Sequence, residues 1–237
     1  MKVLTQEEFD NLPRNELGIK VVPAFSDLRA VREFGRDCSF GEYCRFGRGC
    51  SFGEYCRFGE RCSFSKECSF GKGCSFGVCC SFGEGCRFGV CCSFGVCCSF
   101  GEGCSFSERC SFGKECSFGK GCSFSDYCSF GDSCSFGEGC SFGDYCSFGE
   151  YCRFGEGCRF GVCCSLIGLK ILNYKAIDQI GKNKRKLYCW NLEGVLYFQA
   201  GCFFGKKDEL LERVEKAYGK DSEYHLAIEF LEKIITK

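Results

Sequence analysis

Histidine is almost missing from this chain of 237 residues; its one copy is His225, near the C-terminal end. Most arrangements for general acid–base or nucleophilic catalysis are missing with it. No P-loop, dinucleotide fingerprint, paired-carboxylate motif or Cys-His-Asp set can be read in the sequence. Net charge is absent as well, with 31 basic residues against 31 acidic ones. No region carries the basic surplus that a phosphate backbone attracts, so direct nucleic-acid binding is not expected. No apolar run is long enough for a membrane-spanning helix. Met1 to Thr5 lead into charged residues rather than a signal-peptide core, which makes the cytoplasm the expected location.

What the chain has instead is cysteine, 28 in all, of which 22 recur at every sixth position from Cys38 to Cys164. The unit reads Cys38-Ser39-Phe40-Gly41-Glu42-Tyr43, then Cys44-Arg45-Phe46-Gly47-Arg48-Gly49. Residues two apart in extended backbone share a side, so Cys at position one and Phe at position three point inward while Ser or Arg at position two points out. Gly at position four is expected to turn the chain, making each unit one short strand and one bend. One such strand cannot bury its apolar face alone, and the units must wind into stacked coils.

Position six sets the number of units per coil. Every third unit gives Gly49, Glu67, Gly85, Gly103, Gly121, Gly139 and Gly157, whereas sorting in fours yields no class so uniform. The expected fold class is therefore mainly β: a triangular parallel β-helix with about 18 residues per coil, about 35 Å long at ~4.8 Å per coil. Residues 1–25 form its N-terminal cap, 26–166 the solenoid and 167–237 a small α+β domain.

Read as Phe-Gly-x-x-Cys-Ser/Arg, the repeat resembles the hexapeptide of left-handed parallel β-helices, with Phe in place of the usual aliphatic residue. Read as Cys-Ser/Arg-Phe-Gly-x, it is similar to the pentapeptide repeat with one residue inserted. Both likenesses cover residues 38–164 and imply a β-solenoid. Acyltransferases of the hexapeptide kind use a histidine near the coil surface and a loop that interrupts the repeat; this repeat has neither. Gly201-Cys202-Phe203-Phe204-Gly205, leading into Lys207-Asp208-Glu209-Leu210, resembles a C-terminal module of uncharacterised proteins from bacteriophages and their bacterial hosts. It implies a phage or prophage origin and a bacterial host cell.

The flanks read differently from the repeat. Thr5 with Glu8 makes a capping box and Leu4 with Phe9 a hydrophobic staple, so a short helix is expected from Gln6. Coiling should begin near Ser26. Beyond Cys164, Ile171 to Ile177, Lys186 to Trp190 and Val195 to Phe198 are strand-like, the last two joined by a turn at Asn191-Leu192-Glu193-Gly194. Two apolar stripes follow, one over Leu210, Leu211, Val214, Ala217 and Tyr218, the other over Tyr224, Ala227, Ile228, Leu231, Ile234 and Ile235.

In a reducing cytosol the column cysteines read as small buried apolar groups and not as a disulfide framework. A serine at Cys98 would then bury a hydroxyl without an assured partner. No metal site is expected, because a six-residue column spreads its thiols along three walls instead of converging them. Neither is a cofactor or a catalytic residue, and the chain reads as a non-enzymatic scaffold. Three surfaces remain. Val78, Cys79, Val90, Cys91, Val96 and Cys97 replace polar residues at the corners and suggest a contact, either in a dimer or trimer of this chain or with another protein. Lys182, Lys184, Arg185 and Lys186 around Asn183 suggest an anion-binding loop. Asp126, Asp132, Glu138, Asp144, Glu150 and Glu156, interleaved with tyrosines, suggest an acidic face. Pentapeptide-repeat proteins that mimic DNA present such carboxylates, so a host-directed inhibitor, DNA-mimicking or ligand-sequestering, is the alternative function. An acyltransferase relative is a further one.

Overall fold

The computed structural model describes residues 1–155, 157–161, 163–180, 185–200, 203–219 and 222–236. It divides the chain into two compact units, Met1–Val162 and Cys163–Lys237.

The first unit is a parallel β-solenoid whose strands are mostly two residues long, one per repeat. Strands three units apart pair in register, as in Ser75↔Ser93 and Phe76↔Phe94, so a coil holds 18 residues and the strands form three walls. The register reaches back to Lys20–Val22, which pairs with Cys38–Phe40. Column Cys and Phe are buried from Cys38 to Cys158 and from Phe40 to Phe154, while position two faces outward.

Phenylalanine fills the interior as three ring stacks. Along one stack the rings lie parallel, with centroids 4.8 Å apart for Phe76 and Phe94. Between stacks the rings stand edge to face: Phe70, Phe76 and Phe82 meet pairwise at 88° to 89° with centroids 5.0 to 5.8 Å apart. Offset-parallel and T-shaped contacts are the two arrangements that the ring quadrupole favours, and the triangular section supplies both at every coil.

The turn is not made by the position-four glycine. It lies at positions five and six, where position six takes φ from 55° at Arg61 to 70° at Gly157 and is left-handed in every described unit, whether or not it is glycine. Glycine at position four meets a separate demand. A Cβ at Gly59 would lie 2.7 Å from the Glu42 nitrogen, and one at Gly95 2.8 Å from the Gly77 carbonyl carbon. Backbone of successive coils touches there. Ser65, Ser107 and Ser125 also occupy position four, and their N–H groups reach Phe46, Phe88 and Phe106 over 3.2, 3.0 and 2.9 Å where Gly71 reaches Phe52 over 3.0 Å, so a small side chain is accommodated there.

The column cysteines do more than fill space. From Cys56 to Cys158 each thiol points at the carbonyl of the position-four residue 21 positions earlier, as Cys80 Sγ does to Gly59 at 3.3 Å and Cys98 Sγ to Gly77 at 3.4 Å. Among the described residues that carbonyl accepts no backbone hydrogen bond of the ladder, and a buried acceptor left alone costs about 1–3 kcal/mol. The expectation of a purely apolar column, and of a partnerless hydroxyl in its place, is thereby corrected. A neighbouring column thiol and then burial raise the Cys86 thiol to about 12, and the same causes raise Cys80, Cys110 and Cys116.

The N-terminal end is closed by helix α1 (Gln6–Asp10), with the Thr5–Glu8 capping box in place. Phe9 lies edge-on to Phe34 at 4.9 Å and continues the Phe40 stack at 6.4 Å. The buried Lys20 ammonium holds the helix end by donating to the Phe9 and Asp10 carbonyls at 2.8 and 2.9 Å.

The second unit is antiparallel. Leu169–Ile180, Arg185–Leu192, Val195–Ala200 and Phe203–Gly205 pair in sequence order, and the Glu193-Gly194 turn has φ of 51° and 87°, the signature of a two-residue hairpin. Helices α2 (Lys207–Tyr218) and α3 (Glu223–Ile235) cover the sheet. Leu187, Cys189, Phe198, Phe203, Leu210, Val214, Tyr224, Ile228 and Leu231 share its core.

Candidate functional site

Because inward positions are uniform, the individuality of the solenoid lies at its three corners, where positions five and six of every third unit stack into an edge. One edge carries Gly49, Gly85, Gly103, Gly121, Gly139 and Gly157 at position six, with charges at position five. Those charges pair along the rod: Lys66 with Glu84 at 2.7 Å and Lys120 with Glu138 at 2.8 Å, while Arg48 reaches Glu67 at 2.8 Å and lowers its carboxyl. Exposed pairs of this kind contribute about 0–1 kcal/mol and describe a solvated edge.

The second edge runs Tyr43, Arg61, Cys79, Cys97, Glu115, Ser133 and Tyr151 at position six. Arg61 donates to the Tyr43 hydroxyl at 2.6 Å. Cys97 donates to Glu115 Oε2 at 3.4 Å, and this carboxylate raises the Cys97 thiol. Val78 and Val96 stand beside Cys79 and Cys97, with Val96 39% exposed. The third edge runs Tyr55, Gly73, Cys91, Arg109, Tyr127 and Tyr145. The rings of Tyr127 and Tyr145 stack at 5.1 Å and 3° while remaining 50% exposed, and Arg109 lies over Tyr127 at 5.9 Å.

Placed on these edges, the apolar residues Val78, Cys79, Val96 and Cys97 form one contiguous ladder, and Val90 with Cys91 lies on another edge. The acidic residues do not share a face. Asp126 and Asp144 lie on the third edge, Asp132 and Glu150 on the second and Glu138 on the first; Glu156 lies outside the described residues. Several carboxylates are also occupied: Lys114 pairs with Asp132 at 2.7 Å, and Asp126 Oδ1 accepts from the Asp144 N–H at 2.8 Å. Residues six apart in sequence sit on adjacent edges; only those 18 apart share one.

Of the expected anion-binding loop, Lys182 and Lys184 lie outside the described residues, and the backbone of Arg185 and Lys186 belongs to the strand Arg185–Leu192 instead of a loop. His225 lies where α2 meets α3, its Nδ1 3.0 Å from Ser222 Oγ and its Nε2 3.7 Å from Glu215. The contact sits at the start of α3 and joins helix ends. A cavity of about 160 Å³ close by is lined by Ala200, Phe203, Leu210, Val214, Tyr218 and Tyr224, with Arg213 as its one charged side chain among the described residues.

Comparison with known protein families, with curated proteins and with solved structures finds no match to this chain. The likeness to hexapeptide and pentapeptide repeats therefore stands on the repeat and the coil alone.

Proposed function

We propose that the chain is a non-enzymatic binding scaffold that presents two of its three edges to a protein partner. The observation that carries this reading is the choice of residues at position six. A left-handed backbone costs an ordinary L-residue roughly 1–2 kcal/mol relative to glycine. The first edge takes glycine almost throughout, yet the other two hold Tyr, Arg, Cys, Glu and Ser in the same conformation. Local stability does not account for that difference; display of side chains at a fixed coil spacing does. The stacked, half-exposed Tyr127 and Tyr145 suit the center of a protein contact, since aromatic residues lose little entropy on binding and bury large areas.

A phage origin, which the likeness of the C-terminal stretch implies, would make the partner a host protein. The DNA-mimic alternative loses support from the spread of its carboxylates over three edges and from their lysine partners. The acyltransferase alternative loses support from the uninterrupted repeat. Capture from bacterial lysate on the immobilised chain, beside a Tyr127→Gly, Tyr145→Gly double variant and a Glu84→Gly variant, tests the proposal. A protein retained by the parent and the Glu84 variant but lost with the double variant is expected. Retention indifferent to the tyrosines, or no retained protein at all, overturns it.

A further inference from the structure

The geometry points to a surface site for a soft, two-coordinate cation of the Cu(I) type, held between the thiolates of Cys79 and Cys97. Both residues sit at position six of successive coils on one edge, in the same left-handed conformation with φ of 56° and 58°. The Cys79 N–H donates to the Val96 carbonyl at 2.9 Å, fixing one coil on the next. Both thiols are free and exposed, in contrast to the buried column thiols, which are committed to backbone carbonyls. The pair of thiols needs no protein partner to be brought together.

Spacing selects the ligand. Coils here repeat at 4.8 Å, the separation of the Phe76 and Phe94 rings in the same two coils. A disulfide needs Cβ atoms about 3.5–4.5 Å apart and sulfurs about 2.05 Å apart, closer than parallel side chains on rigid coils approach. A linear S–M–S bridge is longer: the tetrahedral zinc–thiolate bond of about 2.3 Å sets an upper bound of about 4.6 Å on its span, near the repeat and within reach of side-chain rotation. Among the described residues no three His, Cys, Asp or Glu side chains are grouped to hold a metal, which disfavours tetrahedral zinc and leaves an ion content with two soft donors.

Charges of both signs stand beside the pair, the Glu115 carboxylate at Cys97 and Arg61 on the other side of Cys79. Binding is 2 S–H + Cu⁺ → [S–Cu–S]⁻ + 2 H⁺, with no change of oxidation state. Both protons leave to solvent; before the ion enters, Glu115 accepts from the Cys97 thiol at 3.4 Å. Arg61 is the next residue along the edge beyond Cys79, its guanidinium hydrogen-bonded to the Tyr43 hydroxyl. Val78 and Val96 flank the pair and keep hard, hydrated cations at a disadvantage.

The test uses the full chain titrated anaerobically with acetonitrile-stabilised Cu(I) against bicinchoninate. One Cu(I) per folded chain is expected, with a thiolate-to-copper absorption band and an unchanged circular dichroism spectrum. Cys79→Ser and Cys97→Ser should each weaken binding by at least about 100-fold, more than the loss typical of outer-shell changes. Cys91→Ser should leave it unaltered, because Cys91 is exposed but has Gly73 and Arg109 as its edge neighbours. Should a serine variant fold poorly, alkylation of the exposed thiols of the folded parent serves in its place and should abolish uptake. Binding that survives loss of either thiol, that depends on Cys91, or that takes up several ions with loss of β structure overturns the assignment.

Discussion

From Lys20 onward the strands of the first unit hold two or three residues and pair with strands 18 positions away, whereas those of the second unit run to 12 residues and pair antiparallel with their neighbours in the chain. In the solenoid each coil touches only the coils above and below, so stability is close to a sum of repeated coil-on-coil contributions. In the second unit one core ties four strands to two helices. Loss of one whole coil should then be absorbed by the first unit, whereas loss of one strand should be fatal to the second.

The largest expected effect is on deletions. Removing Cys98 to Glu115, one whole coil, should leave a folded rod one coil shorter, whereas removing the strand Val195–Ala200 should unfold the second unit. Circular dichroism with limited proteolysis distinguishes the outcomes, and a collapsed rod after the 18-residue deletion would break the comparison. Next in size, Phe94→Ala should cost about 3–5 kcal/mol and Leu231→Ala about 2–5 kcal/mol. Their reach should differ: hydrogen exchange should quicken only in coils near Phe94, but throughout the second unit for Leu231. Third, Cys98→Ala should cost about 1–3 kcal/mol by orphaning the Gly77 carbonyl, and Cys98→Ser, which keeps a donor, should cost less in chemical denaturation. Smallest, Ser133→Gly should stabilise the rod by up to about 1 kcal/mol by relieving its left-handed backbone, seen as a small rise in melting temperature.

The comparison also explains what the sequence could disclose. Inward Cys and Phe follow from a two-residue alternation, and the coil length from the recurrence of glycine at Gly85, Gly103 and Gly121. The reason for Gly95 was hidden because the backbone it must clear, at Gly77, is a full coil away. The left-handed turn was disguised by Tyr127, Cys97 and Glu115, residues that give no local sign of it. The thiol of Cys98 could not be matched with its acceptor 21 positions earlier before the coil geometry was known. In the second unit, the Glu193-Gly194 hairpin declares itself through turn chemistry, whereas Phe203–Gly205 is too short to show a period. The candidate site suffered most from linear reading: Asp126, Asp132 and Glu138 follow one another in sequence but face three directions.

The thiol columns make opening a one-way event under oxidising conditions. While the rod is closed, the column thiols are buried against backbone carbonyls, shielded from water and beyond the reach of peroxide or another disulfide. Once coils separate, a run of cysteines six residues apart enters solvent together, free to cross-link in many wrong combinations faster than the coils can restack. Refolding should therefore be complete with a reductant and fail without one, and the rate at which a folded sample reacts with a thiol reagent should report how often the rod opens.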